Sequence, residues 1–263
     1  MKRLFTFGCS FTSFHWPTWA DILGREFDYY ENWGTTGAGN QFIFNSLIEC
    51  KTRHQFTSDD HVMIMWSNIA REDRYIRHKW FNPGNILTQN FYNEDYVKKV
   101  FCERGYFIRD VAVIAATIDL LKAWGVNFEL MTMVPLTNSD QYNISKINGV
   151  EDVCSLYQDT LTNIKPSVFE TVFNKDWWSR RSSEFFSIDN IELCFKNNPN
   201  DDFYAWINAM KHEARPDPHP SPDEHLEYLE KVLPDYNISV NTKNWIKNYK
   251  LGNKFDKHLP DRL

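Results

Sequence analysis

The chain has 263 residues, of which 42% are hydrophobic and 16% aromatic, enough to form one large α/β domain with an insertion. Its formal net charge of -6 argues against general attraction to nucleic acid or anionic lipid. No apolar stretch is long enough to span a membrane, and the five scattered cysteines fit reduced thiols better than a disulfide framework. Since Met1 leads directly into a strand-like run without a signal-peptide pattern, we expect a cytoplasmic protein. From the charge and the apolar pattern we expect that it binds neither nucleic acid nor membrane.

Strand and helix patterns alternate along the first half of the chain. A short apolar run stops at Gly8, and a nearly continuous apolar run at 61–66 is typical of an interior parallel strand. The predicted strands lie at 4–7, 27–33, 61–66 and 126–134. Three helices are predicted: one begins at Trp19, a second begins near Phe42, and a third covers about 93–124 with an interruption near Gly105. This alternation predicts an α/β fold with a parallel sheet, whose ligand site lies beyond the carboxyl ends of the strands.

The second half is less regular. From about 136 to 216 the periodicity weakens, which indicates an insertion of mixed structure within a single domain of residues 1–263. Amphipathic helices are predicted at about 222–233 and 242–250, within a C-terminal part of about 217–263. Ser221, Pro222 and Glu224 form a capping-box pattern, so the first of these helices begins there.

Four short blocks carry the residues of chemical interest. They are Phe7-Gly8-Cys9-Ser10-Phe11-Thr12, Asn32-Trp33-Gly34-Thr35-Thr36-Gly37, Trp66-Ser67-Asn68 and Pro216-Asp217-Pro218-His219-Pro220-Ser221. Alone, a serine after a strand is more often a turn or cap residue than a nucleophile. In this order, however, the blocks resemble those of the SGNH (GDSL-like) hydrolase superfamily, including phage-encoded members. The resemblance implies a three-layer α/β/α sandwich with a mostly parallel, flavodoxin-like sheet and a mixed insertion.

The resemblance also assigns a role to one residue in each block. Ser10 would be the nucleophile, with its amide in the oxyanion hole, and His219 would be the general base, oriented by Asp217. Gly37 would donate its backbone amide to the oxyanion, and Asn68 would donate its side-chain amide. Because Gly34 and Gly39 lie in the same turn, either could take the role of Gly37 instead.

The blocks depart from the family pattern at three positions. Cys9 stands where many relatives have Asp, and Trp66 stands where the family has Gly. Asp217 lies only two residues before His219, one fewer than in the family's Asp-x-x-His motif. His225 therefore remains an alternative base, because Asp223-Glu224-His225 repeats the Asp-x-His spacing.

Other residues are candidates for binding. Arg71 could face an anionic substrate, although the run 71–74 also fits a solvated charged face, and Trp66 and His15 could line a substrate pocket. The turn at 34–40 has neither the Lys of a phosphate loop nor the glycine order of a dinucleotide site, so no cofactor is expected. No metal is expected either, since the two Asp-x-His pairs at one helix start cannot easily supply three ligands with an open position.

The resulting hypothesis is a serine esterase or deacylase that hydrolyses a carboxylic ester of a small molecule or glycan, with an acetylated carbohydrate as one candidate. The alternatives are a catalytically inactive binding or assembly protein with the same fold, and an acyltransferase. The sequence leaves the oligomeric state and the natural ester open.

Overall fold

The computed structural model describes residues 1–87, 91–136, 149–173 and 219–262. Within these residues the strands are β1 (Arg3–Phe7), β2 (Tyr29–Asn32), β3 (His61–Trp66), β4 (Arg71–Ile76), β5 (Lys79–Asn85) and β6 (Asn127–Thr132). The helices are α1 (Trp19–Gly24), α2 (Asn40–Arg53), α3 (Glu94–Val100), α4 (Glu103–Trp124), α5 (Glu151–Leu156), α6 (Gln158–Thr162), α7 (Val168–Thr171), α8 (Pro222–Val232) and α9 (Val240–Lys247).

The central sheet has the order β2-β1-β3-β6, and its strands are all parallel. An additional parallel bridge joins Leu130 of β6 to Ile164. This order is that of a flavodoxin-like sheet, in which the chain proceeds from β1 to one side and from β3 to the other. The predicted α/β fold class is confirmed, and the crevice of such a sheet lies between the loops that follow β1 and β3.

Helices cover both faces of the sheet. The connections from β1 to β2 and from β2 to β3 run in opposite directions, so right-handed crossovers place α1 and α2 on opposite faces. α8 packs against α1, and α4 packs against α2. The strands between these layers are buried, and Phe5, Phe7, Met63 and Trp66 have no exposed surface.

Several predicted bounds need correction. The predicted helix at 93–124 is two helices that break at Phe101 and Cys102, whereas Gly105 lies inside α4. The run at 71–74, one interpretation of which was a solvated charged face, is part of a β-hairpin formed by β4 and β5. Of the predicted insertion, the structure describes residues 149–173, which form three short helices. None of the described helices is long and apolar enough to cross a membrane.

Candidate active site

Ser10 lies in a tight turn immediately after β1. The Cys9 carbonyl accepts hydrogen bonds from the amides of Thr12 (2.9 Å) and Ser13 (3.0 Å), so the chain reverses as soon as the strand ends. Gly8 permits this reversal, because a Cβ atom there would lie 2.0 Å from Thr12 Oγ1. Ser10 is only 3% exposed, and none of the hydrogen bonds among the described residues involves its hydroxyl.

The segment before α8 packs on this turn, although about 200 residues separate the two in sequence. The His219 ring stacks on Phe14, with centroids 3.9 Å apart and planes at 16°. It also lies 5.4 Å from the ring of Phe11, the residue after Ser10. Trp16 Nε1 donates to the Pro220 carbonyl at 2.7 Å. His219 is therefore held beside the Ser10 turn by both ring stacking and a backbone contact.

His225, the alternative base, also lies near Phe11, with ring centroids 6.5 Å apart. It is 1% exposed and belongs to the first turn of α8. The predicted capping box is present, since Ser221 N donates to Glu224 Oε2 at 2.7 Å and Glu224 N donates to Ser221 Oγ at 3.3 Å. His219 thus lies in the loop before the helix, and His225 lies within the helix. Asp217 is outside the described residues.

The loop after β2 is bonded to the Ser10 turn through Asn32. Its Nδ2 donates to the Thr12 carbonyl at 2.8 Å, and its Oδ1 accepts from the Gly34 amide at 2.9 Å. The Thr35 amide donates to the Gly8 carbonyl at 3.1 Å. These bonds fix the relative positions of the first two sequence blocks.

The backbone amides of the three glycines in this loop, Gly34, Gly37 and Gly39, differ in whether they donate a hydrogen bond. The Gly34 amide donates to Asn32, and the Gly39 amide donates to Asp73 Oδ1 at 2.8 Å. Within the described part of the chain, the Gly37 amide has no such acceptor. Gly37 has a φ of 80°, and a Cβ atom there would lie 2.2 Å from the Asn82 carbonyl oxygen, so this position requires glycine.

The loop after β3 is clamped at Ser67 by the buried side chain of Asn40. Asn40 Oδ1 accepts from the Ser67 amide at 2.8 Å, and its Nδ2 donates to the Ser67 carbonyl at 3.2 Å. Asn68 follows, and its Oδ1 accepts from the Ala70 amide at 2.7 Å. No acceptor among the described residues takes a hydrogen bond from the Asn68 Nδ2 group. The side chain is therefore oriented by its oxygen, which leaves its two N–H donors for a ligand.

A buried carboxylate and an arginine hold this loop from α4. Asn40 Nδ2 also donates to Asp110 Oδ2 at 2.7 Å, and Arg109 Nε donates to Asp110 Oδ1 at 2.6 Å. Burial raises the pKa of Asp110 to about 6, against the lowering effect of Arg109. Arg109 also donates to the carbonyls of Ile69 (3.3 Å) and Arg71 (3.2 Å). Both ends of the Asn68 loop are thus bonded to helices.

The predicted binding residues lie in different environments. Arg71 is half-buried at the carboxyl edge of the sheet, where Nη1 donates to the Ala38 carbonyl at 3.0 Å and Nη2 lies 3.8 Å from Met133 Sδ. His15 lies 4.8 Å from Phe14, measured between ring centroids. Trp66 has no exposed surface, so its ring is part of the core.

The β4–β5 hairpin is a part of the site that the sequence patterns did not indicate. Asp73 accepts hydrogen bonds from the amides of Gly39 (2.8 Å) and Phe42 (2.9 Å), and so caps the start of α2. The carbonyl of Asn82 on β5 lies against Gly37. The hairpin therefore covers the turn between β2 and α2.

Among the described residues, Glu31, Cys50 and His54 form a group that could hold a metal, with ligand atoms within 4.8 Å of one another. Glu31 already binds His54 Nε2 and Trp33 Nε1, each at 2.9 Å, together with the Tyr29 hydroxyl. Burial raises the pKa of Cys50, which keeps the thiol neutral. Hydrogen bonding accounts for this group, which lies toward the far end of α2, roughly 20 Å from the Asn40 end.

No protein-family model and no curated protein matches the chain. Solved structures similar to it include two proteins described as lipolytic and of the G-D-S-L family. One, from Desulfitobacterium hafniense, has 14% identity and a TM-score of 0.40 over 81% of this chain and 99% of that chain. The other, from Veillonella parvula, has 14% identity and a TM-score of 0.38 over 81% and 97%. The psychrotrophic esterase EstA from Pseudoalteromonas sp. has 11% identity and a TM-score of 0.37 over 79% and 100%.

Proposed function

We propose that this chain is a serine hydrolase that cleaves a carboxylic ester through an acyl-enzyme on Ser10, with His219 as the general base. The observation that carries the proposal is the packing of His219 on the Ser10 turn, through its stack on Phe14 and the Trp16–Pro220 hydrogen bond. A nucleophilic serine needs a base within reach, because its hydroxyl is a poor nucleophile near neutral pH. Asp217 is proposed as the residue that orients His219.

The reaction would begin with attack of the Ser10 hydroxyl oxygen on the ester carbonyl carbon, while its proton passes to His219. The carbonyl π electrons move to the oxygen and give a tetrahedral oxyanion. When the carbon–oxygen bond to the leaving group breaks, His219 returns the proton to the departing alcohol. Water then attacks the acyl-enzyme by the same route, and the products are a carboxylic acid and free Ser10.

Three N–H donors are proposed for the oxyanion: the amides of Ser10 and Gly37 and the side-chain amide of Asn68. The support for Gly37 over its neighbours is that the amides of Gly34 and Gly39 already donate to side chains. The support for Asn68 is that its oxygen is occupied by Ala70, which directs the nitrogen to the other side. Donors held in this way stabilise developing charge without reorganising during the reaction.

The proposed substrate is a small-molecule or glycan ester, and acetylated carbohydrates are the first group to test. Arg71 and His15 are the residues proposed to contact it, since both are half-buried rather than enclosed in the core. Trp66 would act indirectly through packing, because its ring has no exposed surface.

A fluorophosphonate probe with an intact-mass readout tests the nucleophile. We expect one adduct on the wild-type protein and none on Ser10→Ala. Ser13→Ala is the matched control, because Ser13 lies in the same turn and is similarly buried. The hydrogen bond from its backbone amide to the Cys9 carbonyl survives the substitution. Absence of labelling on folded wild-type protein across pH would refute the proposal, and so would equal labelling of wild type and Ser10→Ala.

The base is tested by turnover of p-nitrophenyl acetate. His219→Ala should abolish turnover, whereas His225→Ala should lower stability, because His225 is 1% exposed, and leave activity in the protein that folds. The reverse pattern would assign the base to His225.

The second candidate function is a binding or assembly protein that retains the fold without turnover. It is favoured by the 3% exposure of Ser10 and by the absence, among the described residues, of a hydrogen bond between the Ser10 hydroxyl and the His219 ring. The labelling experiment separates the two functions, because a binding protein would not react with the probe.

A further inference from the structure

The segment 251–262, here called the strap, runs back along the edge of the sheet towards the proposed active site. The His258 carbonyl accepts a hydrogen bond from the Asn32 amide at 3.0 Å, at the end of edge strand β2. The His258 ring lies 5.4 Å from the ring of Tyr30 on the same strand. The strap thus lies along β2, the outermost described strand on that side of the sheet, and directs the following residues towards the loop after β2.

Arg262, near the end of the strap, binds that loop directly. Its Nη2 donates to the Gly34 carbonyl at 3.0 Å, and its Nη1 donates to the Thr35 hydroxyl. The guanidinium carbon lies 5.6 Å from the centre of the Trp33 ring and 5.2 Å from that of Phe42. Two hydrogen bonds and two aromatic rings therefore fix the guanidinium plane.

The chemistry of this contact is unusual for an arginine. Among the described residues no carboxylate lies within ion-pair distance of Arg262, and burial lowers its pKa to about 10, against the raising effect of the Glu49 charge. A partly buried cation is normally paired with an acid, since desolvation is costly. Here neutral acceptors on one loop take its hydrogen bonds.

Gly34 and Thr35 are held on both sides as a result. The Gly34 amide donates to Asn32, and its carbonyl accepts from Arg262. The Thr35 amide donates to Gly8, and its hydroxyl accepts from Arg262. Gly37 follows only two residues later, so the direction of its amide depends on how well these two residues are fixed.

We infer that Arg262 is a positioning residue, which holds residues 34–35 so that the Gly37 amide points at the oxyanion. This inference rests on the proposed function and adds to it a residue far from the four sequence blocks. Arg262 touches neither the nucleophile nor the reacting carbonyl, and it acts through the loop.

Steady-state kinetics with p-nitrophenyl acetate test this role. Arg262→Ala should lower kcat by up to about 10²-fold, the effect of a displacement of roughly 1 Å at a reacting group, with KM changed by less than about twofold. Guanidinium ion added at low millimolar concentration should restore part of kcat in this variant and not in the wild type. Arg25→Ala is the matched control, because its guanidinium also lies over an aromatic ring, at 4.5 Å from Trp245, and kcat should not change.

A double-mutant cycle keeps the test independent of folding defects. Thr35→Val retains the shape of the side chain and the hydrogen bond from the backbone amide to the Gly8 carbonyl. It removes the hydroxyl that accepts a hydrogen bond from Arg262. Thr35→Val and Arg262→Lys should each lower kcat partially. The fold-loss in the double variant should be smaller than the product of the two single fold-losses. If Arg262→Ala does not fold, these two variants decide the question.

The outcomes distinguish this inference from the proposed function. If the wild type is neither labelled at Ser10 nor active, the proposed function fails, and the positioning role fails with it. If the wild type is active and Arg262→Ala behaves like Arg25→Ala, only the positioning role is overturned. Full additivity of Thr35→Val and Arg262→Lys, or a loss that appears only in KM, would also overturn it.

Discussion

Replacing Asn40 by alanine removes the side chain that joins α2, α4 and the loop that carries Asn68. Asn40 has no exposed surface and makes three hydrogen bonds. Two join the backbone of Ser67, at 2.8 and 3.2 Å, and the third, at 2.7 Å, joins Asp110. In the variant, a buried N–H, a buried carbonyl and a buried carboxylate all lose a partner.

The expected loss in the free energy of unfolding follows from these three hydrogen bonds. A neutral hydrogen bond contributes about 1 kcal/mol net, and one to a charged group contributes about 1.5–3 kcal/mol. Because the remaining partners stay buried, we expect Asn40→Ala to lower the free energy of unfolding by about 3–5 kcal/mol. This is a large part of the roughly 5–15 kcal/mol that stabilises a typical domain.

Urea unfolding followed by tryptophan fluorescence measures this loss. Asn45→Ala is the matched control, because Asn45 lies on the same helix, is exposed and donates to the Gln41 carbonyl at 2.8 Å. Its loss should be within about 0.5 kcal/mol. At low temperature, folded Asn40→Ala should also react more slowly with the fluorophosphonate probe, since Ser67 positions Asn68. A loss below about 1 kcal/mol would refute the view that Asn40 clamps this loop.

Three further outcomes are expected. Asn68→Ala should lower kcat by roughly 10²–10³-fold, the usual effect of losing one oxyanion donor, and a loss under threefold would remove Asn68 from that role. Gly37→Ala should lower the melting temperature more than Gly125→Ala, because both residues have positive φ but only at Gly37 would the new Cβ meet a backbone oxygen, at 2.2 Å. Burial raises the pKa of Asp21 to about 6, so its contribution to stability is complete below about pH 4 and is lost as pH rises through about 6. The stability of the wild type minus that of Asp21→Asn should therefore fall by up to about 3 kcal/mol between pH 4 and 7, and a flat difference in urea unfolding would contradict this.

The parallel strands were the most predictable part of the fold. The apolar run at 61–66 coincides with β3, because an interior strand covered on both faces needs apolar side chains on both. The bounds of helices were less predictable. Gly105 was expected to interrupt the long helix, yet it lies within α4, and the break is at Phe101 and Cys102. A single glycine weakens a helix but does not end one when tertiary packing supports it.

The β4–β5 hairpin could not be predicted from its turn. Its two central residues, Arg77 and His78, have φ values of 51° and 65°. Hairpin turns with two positive φ values usually contain Asn-Gly or Asp-Gly, and this sequence has neither at that point. The charged run that begins at Arg71 also resembled a solvated surface. Glu72 is in fact buried, at 7% exposure, and its Oε2 accepts from the Tyr106 hydroxyl at 2.7 Å.

The positioning contacts were beyond sequence patterns for a different reason. Asn40 meets Asp110 across 70 residues, and Arg262 meets Gly34 across 228. From local periodicity, a polar residue on a helix or in a tail is predicted to lie on the surface. These partners come together only in the tertiary structure. Motifs therefore indicated the proposed reacting groups, whereas the residues that contact their loops were found from the structure.

The two halves of the proposed site are held by different kinds of contact. The loops that carry Gly37 and Asn68 are fixed by buried hydrogen bonds, each costly to break. The contacts of the His219 ring include its stack on Phe14, and an aromatic contact of this kind contributes roughly 0.5–1.5 kcal/mol beyond burial. Such a division suits acyl transfer, because the donors must be in place before charge develops, whereas the base has to move a proton between two partners.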